Sequence, residues 1–256
     1  MKISFHKYQA TGNDFVLIDN RASNYSFDKT QIGQICDRRF GIGADGLILI
    51  ENHPSLDFNL VYYNSDGSQS LCGNGSRAAV MMAASLGLVK DKTVFQAYDG
   101  PHQAVLKDGI VRLKMNDVAE TKKMDADLFI NTGSPHHLRF VEDIKNYPVF
   151  EEGKKIRTSP DYAPHGTNVN FIQLLPKNTI FVRTYERGVE AETYSCGTGV
   201  TAAALAASVH GYISPVYVKV RGGELSVEFK SGQAGTFHDI YLIGPAKMVF
   251  EGTLEL

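Results

Sequence analysis

The chain has 256 residues, 43% hydrophobic and 21% charged, an ordinary globular composition with room for one large domain or two of about half that length. Its net charge of −2, with Lys and Arg scattered, gives no basic footprint for nucleic acid. No apolar run reaches the roughly 18 residues of a membrane span, and the polar start MKISFHKYQA has no signal core, so a soluble, cytoplasmic protein is expected.

In chain order, a strand is expected at Lys2–Tyr8, a turn at Gly12–Asn13 and a second strand at Phe15–Ile18. Ile32 and Ile35 stand at helical spacing behind Asp28, a candidate cap for a helix running to Cys36. The glycine-rich GIGADG (Gly41–Gly46) leads into an apolar strand, Leu47–Ile50, and Phe58–Tyr63 is a strand closed by the turn NSDG. Ser76–Leu88, Ala- and Met-rich and without Pro, reads as a buried helix closed by Gly87. Strands follow at Thr93–Ala97, His102–Leu106 and Ile110–Met115, and the polar stretch Asn116–Lys123 reads as a linker. The second half has a strand at Leu128–Thr132, GSPHH, a helix near Leu138–Ile144, strands at Asn168–Leu174 and Ile180–Thr184, and a second alanine-rich helix ending at Gly211. Val216–Val220, Leu225–Phe229 and Ile240–Ile243 are further strands.

The three cysteines, Cys36, Cys72 and Cys196, form no disulfide framework and have no metal-ligand spacing, so no metal is expected. Two of them mark an internal repeat. With Cys72 placed on Cys196, at an offset of 124, CGNGSRAAVMMAASLGLV faces CGTGVTAAALAASVHGYI with seven identities in 18 positions. A strand ending in Tyr63-Asn64 precedes the first helix, and one ending in Tyr185-Glu186 precedes the second. Any two alanine-rich helices share alanines, but a Cys-Gly-X-Gly ahead of each is not explained that way. The expectation is two copies of one α+β unit, their helix starts facing one cleft.

At a helix start the first N–H groups are unpaired and the dipole is positive. A thiol there is drawn toward thiolate. Glycines let a carboxylate approach the bare N–H groups. Two such sites suit inversion of a carbon that bears hydrogen: a thiolate takes the α-proton from one face and a thiol returns one to the other. No phosphate cradle with a Schiff-base lysine is present, so no cofactor is expected. Cys36, on an apolar face with Ile32 and Ile35, reads as core filler.

The chain resembles the diaminopimelate epimerase family over nearly its whole length. The resemblance rests on FHKYQATGNDFVLID, GIGADG, NSDGSQSLCGNGSRA, GSPHH, GTNVNFI, YERGVEAETYSCGTG and PAKMVFEG. Proline racemase-like enzymes share the two-cysteine plan but not TGNDF or YERGVE. The family implies an α+β fold of two pseudo-symmetric lobes, each a mixed or antiparallel sheet wrapped around a central helix. One lobe would comprise 1–115 with about 245–256, the other 116–244. The implied reaction is cofactor-independent interconversion of LL- and meso-2,6-diaminopimelate in lysine biosynthesis, with Cys72 deprotonating the LL isomer and Cys196 reprotonating it. Gly73, Asn74, Gly197 and Thr198 match the cradle at the reacting carboxylate. Asn13, Asn64, Asn168, Glu186 and Arg187 match substrate-binding residues, and His136, like Glu186, would support catalysis. A homodimer is implied as well. The chain departs from the family's pattern at Ser134, at Gly46 where many members have Gln, and in a shorter Asn64–Cys72 stretch. The residues by themselves leave two alternatives: a racemase or isomerase of another amino acid, and a thiol-redox or anion-binding module.

Overall fold

The computed structural model describes residues 2–256. In chain order the first elements are β1 (Lys2–Ala10), β2 (Asn13–Asp19), α1 (Lys29–Cys36), β3 (Gly46–Glu51), β4 (Phe58–Asn64), α2 (Gly73–Ser85), β5 (Lys92–Ala97), β6 (Gly100–Lys107) and β7 (Ile110–Lys114). Then come β8 (Thr121–Met124), β9 (Asp127–Asn131), β10 (Pro135–Phe140), α3 (Val149–Arg157), β11 (Asn168–Leu175), β12 (Thr179–Glu186), β13 (Ala191–Thr193), α4 (Gly197–Ala207), β14 (Val216–Val220), β15 (Gly223–Ser231), β16 (Phe237–Pro245) and β17 (Lys247–Glu255). The chain divides into two compact units, Met1–Leu113 with Gly244–Leu256, and Lys114–Ile243.

In the first unit the strands lie in the order β17-β1-β2-β3-β4-β5-β6-β7. The β2–β3 and β4–β5 pairs are parallel and the rest antiparallel. In the second unit the order is β8-β9-β10-β11-β12-β14-β15-β16, with β10–β11 and β12–β14 parallel and the rest antiparallel. The two sheets therefore have the same sequence of directions; α2 directly follows the fifth strand of its sheet, and α4 follows the fifth strand of its own after the short β13, which pairs back on β12. Besides β13, which has no strand as its counterpart between β4 and α2, the connectivity differs at the outer strand. The C-terminal β17 supplies it in the first unit, and β8 supplies it in the second.

Each sheet wraps a helix that is apolar nearly all round. Ala78, Ala79, Val80, Met82 and Ala83 of α2, and Val200 and Ala202–Ala207 of α4, are buried, as expected of a core helix. Small alanines let the strands close on the helix from several sides. A left-handed glycine closes each run, Gly87 (φ 77°) just beyond α2 and Gly211 (φ 83°) beyond the single 3-10 turn Ser208–His210 that extends α4. Leu88 N–H bonds Ala83 C=O, and Tyr212 N–H bonds Ala207 C=O, so the last carbonyls are satisfied in the same way.

The expected helix near Leu138–Ile144 is not formed. Pro135–Phe140 is instead β10, paired with β9 on one edge and β11 on the other. As a central strand it has its backbone groups satisfied on both sides, and this pairing overrides a weak helical pattern. The expected linker Asn116–Lys123 contributes β8 from Thr121 onward. The charged stretch Glu151–Arg157 lies in α3, which buries Val149, Gly153 and Ile156 on one face. Glu151 and Glu152 occupy its first turn and Lys154, Lys155 and Arg157 its last, in the sense the helix dipole favours.

Candidate active site

Cys72 is the N-cap of α2 (φ −129°, ψ 109°), and Cys196 is the N-cap of α4 (φ −116°, ψ 111°). The repeated Cys-Gly-X-Gly thus places a sulfur at the positive end of each core helix in nearly the same backbone conformation. Gly73, Asn74 and Gly75 form the first turn of α2, and Gly197, Thr198 and Gly199 that of α4.

In the first unit, Cys72 Sγ accepts the Gly75 N–H at 3.4 Å and faces Asn13 Oδ1 at 3.7 Å. The Asn13 amide is oriented by Asp45, whose Oδ2 accepts from Asn13 Nδ2 at 2.6 Å, leaving Oδ1 to accept from Asn74 Nδ2 at 3.1 Å. Asn13 therefore presents an acceptor to the sulfur, and Cys72 donates its S–H to it. Asp45 is paired in turn with Arg38, which also binds Asp14. Lys7 and Arg38 together hold the Asp14 carboxyl down to about 2 against the opposing effect of burial.

The second unit is built the other way. Asn170 Oδ1 accepts from the Thr184 hydroxyl at 2.9 Å, so its Nδ2 must donate, reaching His136 Nδ1 at 3.0 Å and the His137 carbonyl at 3.2 Å. His136 then carries its proton on Nε2 and donates to Thr198 Oγ1 at 3.0 Å. Thr198 Oγ1 in turn lies 3.5 Å from Cys196 Sγ, where its hydroxyl proton is free to point at the sulfur. Burial pushes His136 down to about 3, with the Arg187 charge adding to the effect, so the ring is neutral near pH 7.

The strand registers explain why two repeats hold their thiols differently. Ile48 opposite Tyr62 in the first unit corresponds to Asn170 opposite Thr184 in the second, and Phe15 on β2 corresponds to His136 on β10. A Cβ at Gly75 would meet Ile48 and Phe15, and one at Gly199 would meet Asn170 and His136. The same floor beneath the helix start is apolar in one unit and a polar network in the other.

The remaining predicted residues fall into two groups. Asn168 sits at the start of β11. Its Nδ2 donates to the Pro135 carbonyl at 3.1 Å, and its Oδ1 accepts the Arg187 N–H at 2.9 Å. Glu186 ends β12, and Arg187 follows it with Nη1 on the His165 carbonyl at 3.4 Å. Among the described residues no carboxylate pairs with the Arg187 guanidinium. Asn64 ends β4, and its Nδ2 donates to Ser68 and Ser70 within its own loop. Gly46 has a steric reason to be glycine. A Cβ there would lie 2.4 Å from Tyr62 Cε2 and 2.6 Å from the Tyr63 carbonyl, so Tyr62 occupies the room a longer side chain would need. Cys36 is a core residue beside Ile32 and Ile35, and burial raises its thiol to about 11.

The sequence reading missed Arg77, Asn170 and Thr184. Arg77 stood in view inside CGNGSR, but nothing in the pattern said that it is wholly buried.

The sequence matches the family profile described as Diaminopimelate epimerase over residues 5–125 and 128–249. The chain belongs to the diaminopimelate epimerase family. Among curated diaminopimelate epimerases, that of Flavobacterium psychrophilum is 48% identical over 98% of this chain and 100% of its own. That of Aquifex aeolicus is 40% identical over 99% and 98%. The fold is shared with a PhzF-family phenazine biosynthesis protein of Bacillus anthracis, at TM-score 0.77, 13% identity and full coverage of both chains. It is also shared with a hydroxyproline epimerase from Agrobacterium vitis, at TM-score 0.72 and 13% identity, over 100% of this chain and 93% of that one. The diaminopimelate epimerase family thus accounts for the paired helix starts and for the two-unit α+β architecture. Among the described residues, no helix is long and apolar enough to cross a membrane.

Proposed function

We propose that this protein interconverts LL- and meso-2,6-diaminopimelate in lysine biosynthesis, using Cys72 and Cys196 as a cofactor-independent acid–base pair on the two faces of the α-carbon. A thiolate removes the α-proton, leaving a carbanion, and the other thiol protonates it from behind. The site ends the turnover with thiol and thiolate exchanged and no net gain or loss of protons. The observation that carries the reading is the opposite hydrogen bonding of the two sulfurs. Cys72 faces the Asn13 amide oxygen, which can only accept, whereas Cys196 faces the Thr198 hydroxyl, which is able to donate. One thiol and one thiolate is the pair the chemistry needs, and this arrangement corresponds to the state that receives the meso isomer. Helix-start N–H groups at Gly73, Asn74, Gly197 and Thr198 supply donors for charge that builds on the reacting carboxylate.

A substrate with a second amino-acid end needs a second anchor. The Arg187 guanidinium, without an ion-pair partner among the described residues, suits a bidentate grip on the distal carboxylate. Glu186, Asn168, Asn13 and Asn64 supply oxygens for an ammonium. This favours diaminopimelate over proline-like substrates, which have no second carboxylate. In D2O, deuterium is expected at the α-carbon of the product. Product formed without it, or turnover of proline or glutamate in preference to diaminopimelate isomers, overturns the reading. The reading extends to a cytoplasmic homodimer. Met248, Val249 and Phe250 of β17 are exposed together, an apolar strip suited to a second copy. Light scattering at the mass of one chain would remove that part alone.

A further inference from the structure

Arg77 is a costly feature of the first unit. It is wholly buried, and its Nε and Nη1 have no hydrogen-bond partner. Among the described residues, Nη2 alone is engaged, on Thr11 Oγ1 at 3.3 Å. A buried guanidinium without an anion is strongly unfavourable unless something compensates it. Among the described residues no carboxylate is paired with it. Apolar Phe15 and Ile48 line the helix start. Titratable groups on the strands packed against α2, on the face that carries Phe15, Ile48 or Tyr62, are His6 and Tyr8 of β1, Asp19 of β2 and Tyr62 of β4, with His102 on β6; His6 lies 3.5 Å from Glu251, and Asp19 is paired with Arg21. Tyr8 is kept neutral by burial, and His102 is bonded to Asp99. Across β1 and β2, Asp14 is neutralised by Lys7 and Arg38.

Arg77 lies five residues after Cys72 on the same helix start. Both reach the same tight turn, Arg77 through Thr11 and Cys72 through Asn13. We propose that Arg77 is a positioning residue whose buried charge holds the Cys72 sulfur when it is a thiolate, and that it makes the two thiols of the repeat titrate apart. The inference rests on the acid–base reading above. It explains how one cysteine is served in both of its states. As a thiol, Cys72 gives its proton to Asn13 Oδ1. As a thiolate it is repelled by that oxygen and needs the Gly75 N–H, the helix start and a cation. The position matching Arg77 in the second unit is Thr201, which is also wholly buried but spends its hydroxyl on the Gly197 carbonyl at 2.9 Å. Thr201 carries no charge, and beneath that helix start stands the Thr198–His136 pair, with the Arg187 charge acting on His136. Burial lowers Arg77 to about 10, so it stays charged near neutrality, and the Cys72 thiolate works in the opposite direction.

The test is iodoacetamide alkylation of each cysteine as a function of pH, read by peptide mass spectrometry on the whole protein without substrate. In the unaltered chain, Cys72 is expected to react with a midpoint below the roughly 8.5 of a free thiol. Arg77→Met is expected to raise that midpoint by about one unit or more and to leave Cys196 unmoved. Arg77→Lys, which keeps a charge, is expected to restore most of the shift. With LL-diaminopimelate as substrate, the acid limb of kcat/KM is expected to move up by the same amount in Arg77→Met. A Cys72 midpoint at or above the free-thiol value in the unaltered chain overturns the proposal even if Arg77→Met fails to fold. So does a folded Arg77→Met protein with an unchanged midpoint, or one in which both cysteines move together. Alkylation needs no substrate, so loss of the epimerase reading in D2O and loss of this proposal are separate results.

Discussion

The two candidate catalytic sulfurs face different oxygens: the Asn13 amide oxygen, which can only accept, at Cys72, and the Thr198 hydroxyl, which can donate, at Cys196. Replacing either cysteine by serine substitutes a group too weakly acidic to exchange protons with the α-carbon. Cys72→Ser and Cys196→Ser are each expected to lower kcat by roughly 100-fold or more in a coupled assay of meso product. Cys36→Ala, in the core, is expected to leave kcat unchanged. His136 gives a pH prediction whose sign is fixed. Its pKa is about 3 when folded and roughly 6.5 when unfolded, so the unfolded chain binds more protons between those values. Its contribution to stability is full above the unfolded value and is lost as pH falls toward the folded one, at up to about 1.4 kcal/mol per pH unit. Denaturant titrations from pH 7 to 4 are expected to show that slope, and His136→Gln to flatten it.

The elements that matter most are the two core helices and the strands beneath their first turns. Gly75 and Gly199 match in sequence but not in surroundings. A Cβ at Gly199 would fall 2.3 Å from Asn170 Oδ1, an atom held by Thr184, whereas at Gly75 its nearest neighbour is the flexible end of Ile48 at 3.2 Å. Gly199→Ala is therefore expected to break the Asn170–His136 network, costing about 1–3 kcal/mol and most of the activity. Gly75→Ala is expected to cost less than about 1 kcal/mol. Thermal melts beside kcat measurements on the two variants compare them directly. The repeat also explains β10. Read alone, Leu138–Ile144 has helical spacing, but its counterpart in the first unit is β2, a central strand between β1 and β3. Matching the halves by strand order, beyond the cysteine helices, would have assigned it correctly.

At the scale of the whole chain, the first unit is completed from the far end of the sequence. β17 pairs along the full length of β1, Phe250 meets Phe5 edge-on, and Leu254 and Leu256 pack on the cluster containing Ile3 and Val16. Removing residues 247–256 is expected to uncover Phe5 and Ile3 and to destabilise the protein by at least about 3 kcal/mol. Differential scanning calorimetry would read this as a lowered melting temperature. An unchanged melt would mean that β17 is dispensable to its unit.

The cysteine helices, the duplication and the family were legible in the sequence because they are local. Cys-Gly-X-Gly before an alanine run makes a helix start whatever surrounds it, and its recurrence at a fixed offset needs no coordinates. Cys36 was separable from the other two cysteines for the same reason, by its apolar helical face. The strand at Pro135–Phe140 was not legible, because its conformation is decided by partners on both edges that lie elsewhere in the chain. Nor was the chemical inequality of the two halves. Phe15, Ile48 and Arg77 stand in one unit where His136, Asn170 and Thr201 stand in the other, and these residues come from three separate elements that only the folded sheet brings beneath one helix start. Hydrogen-bond direction at a sulfur and the burial of a guanidinium both depend on that assembly. The sequence could therefore name a pair of thiols, while the tertiary structure distinguishes one from the other.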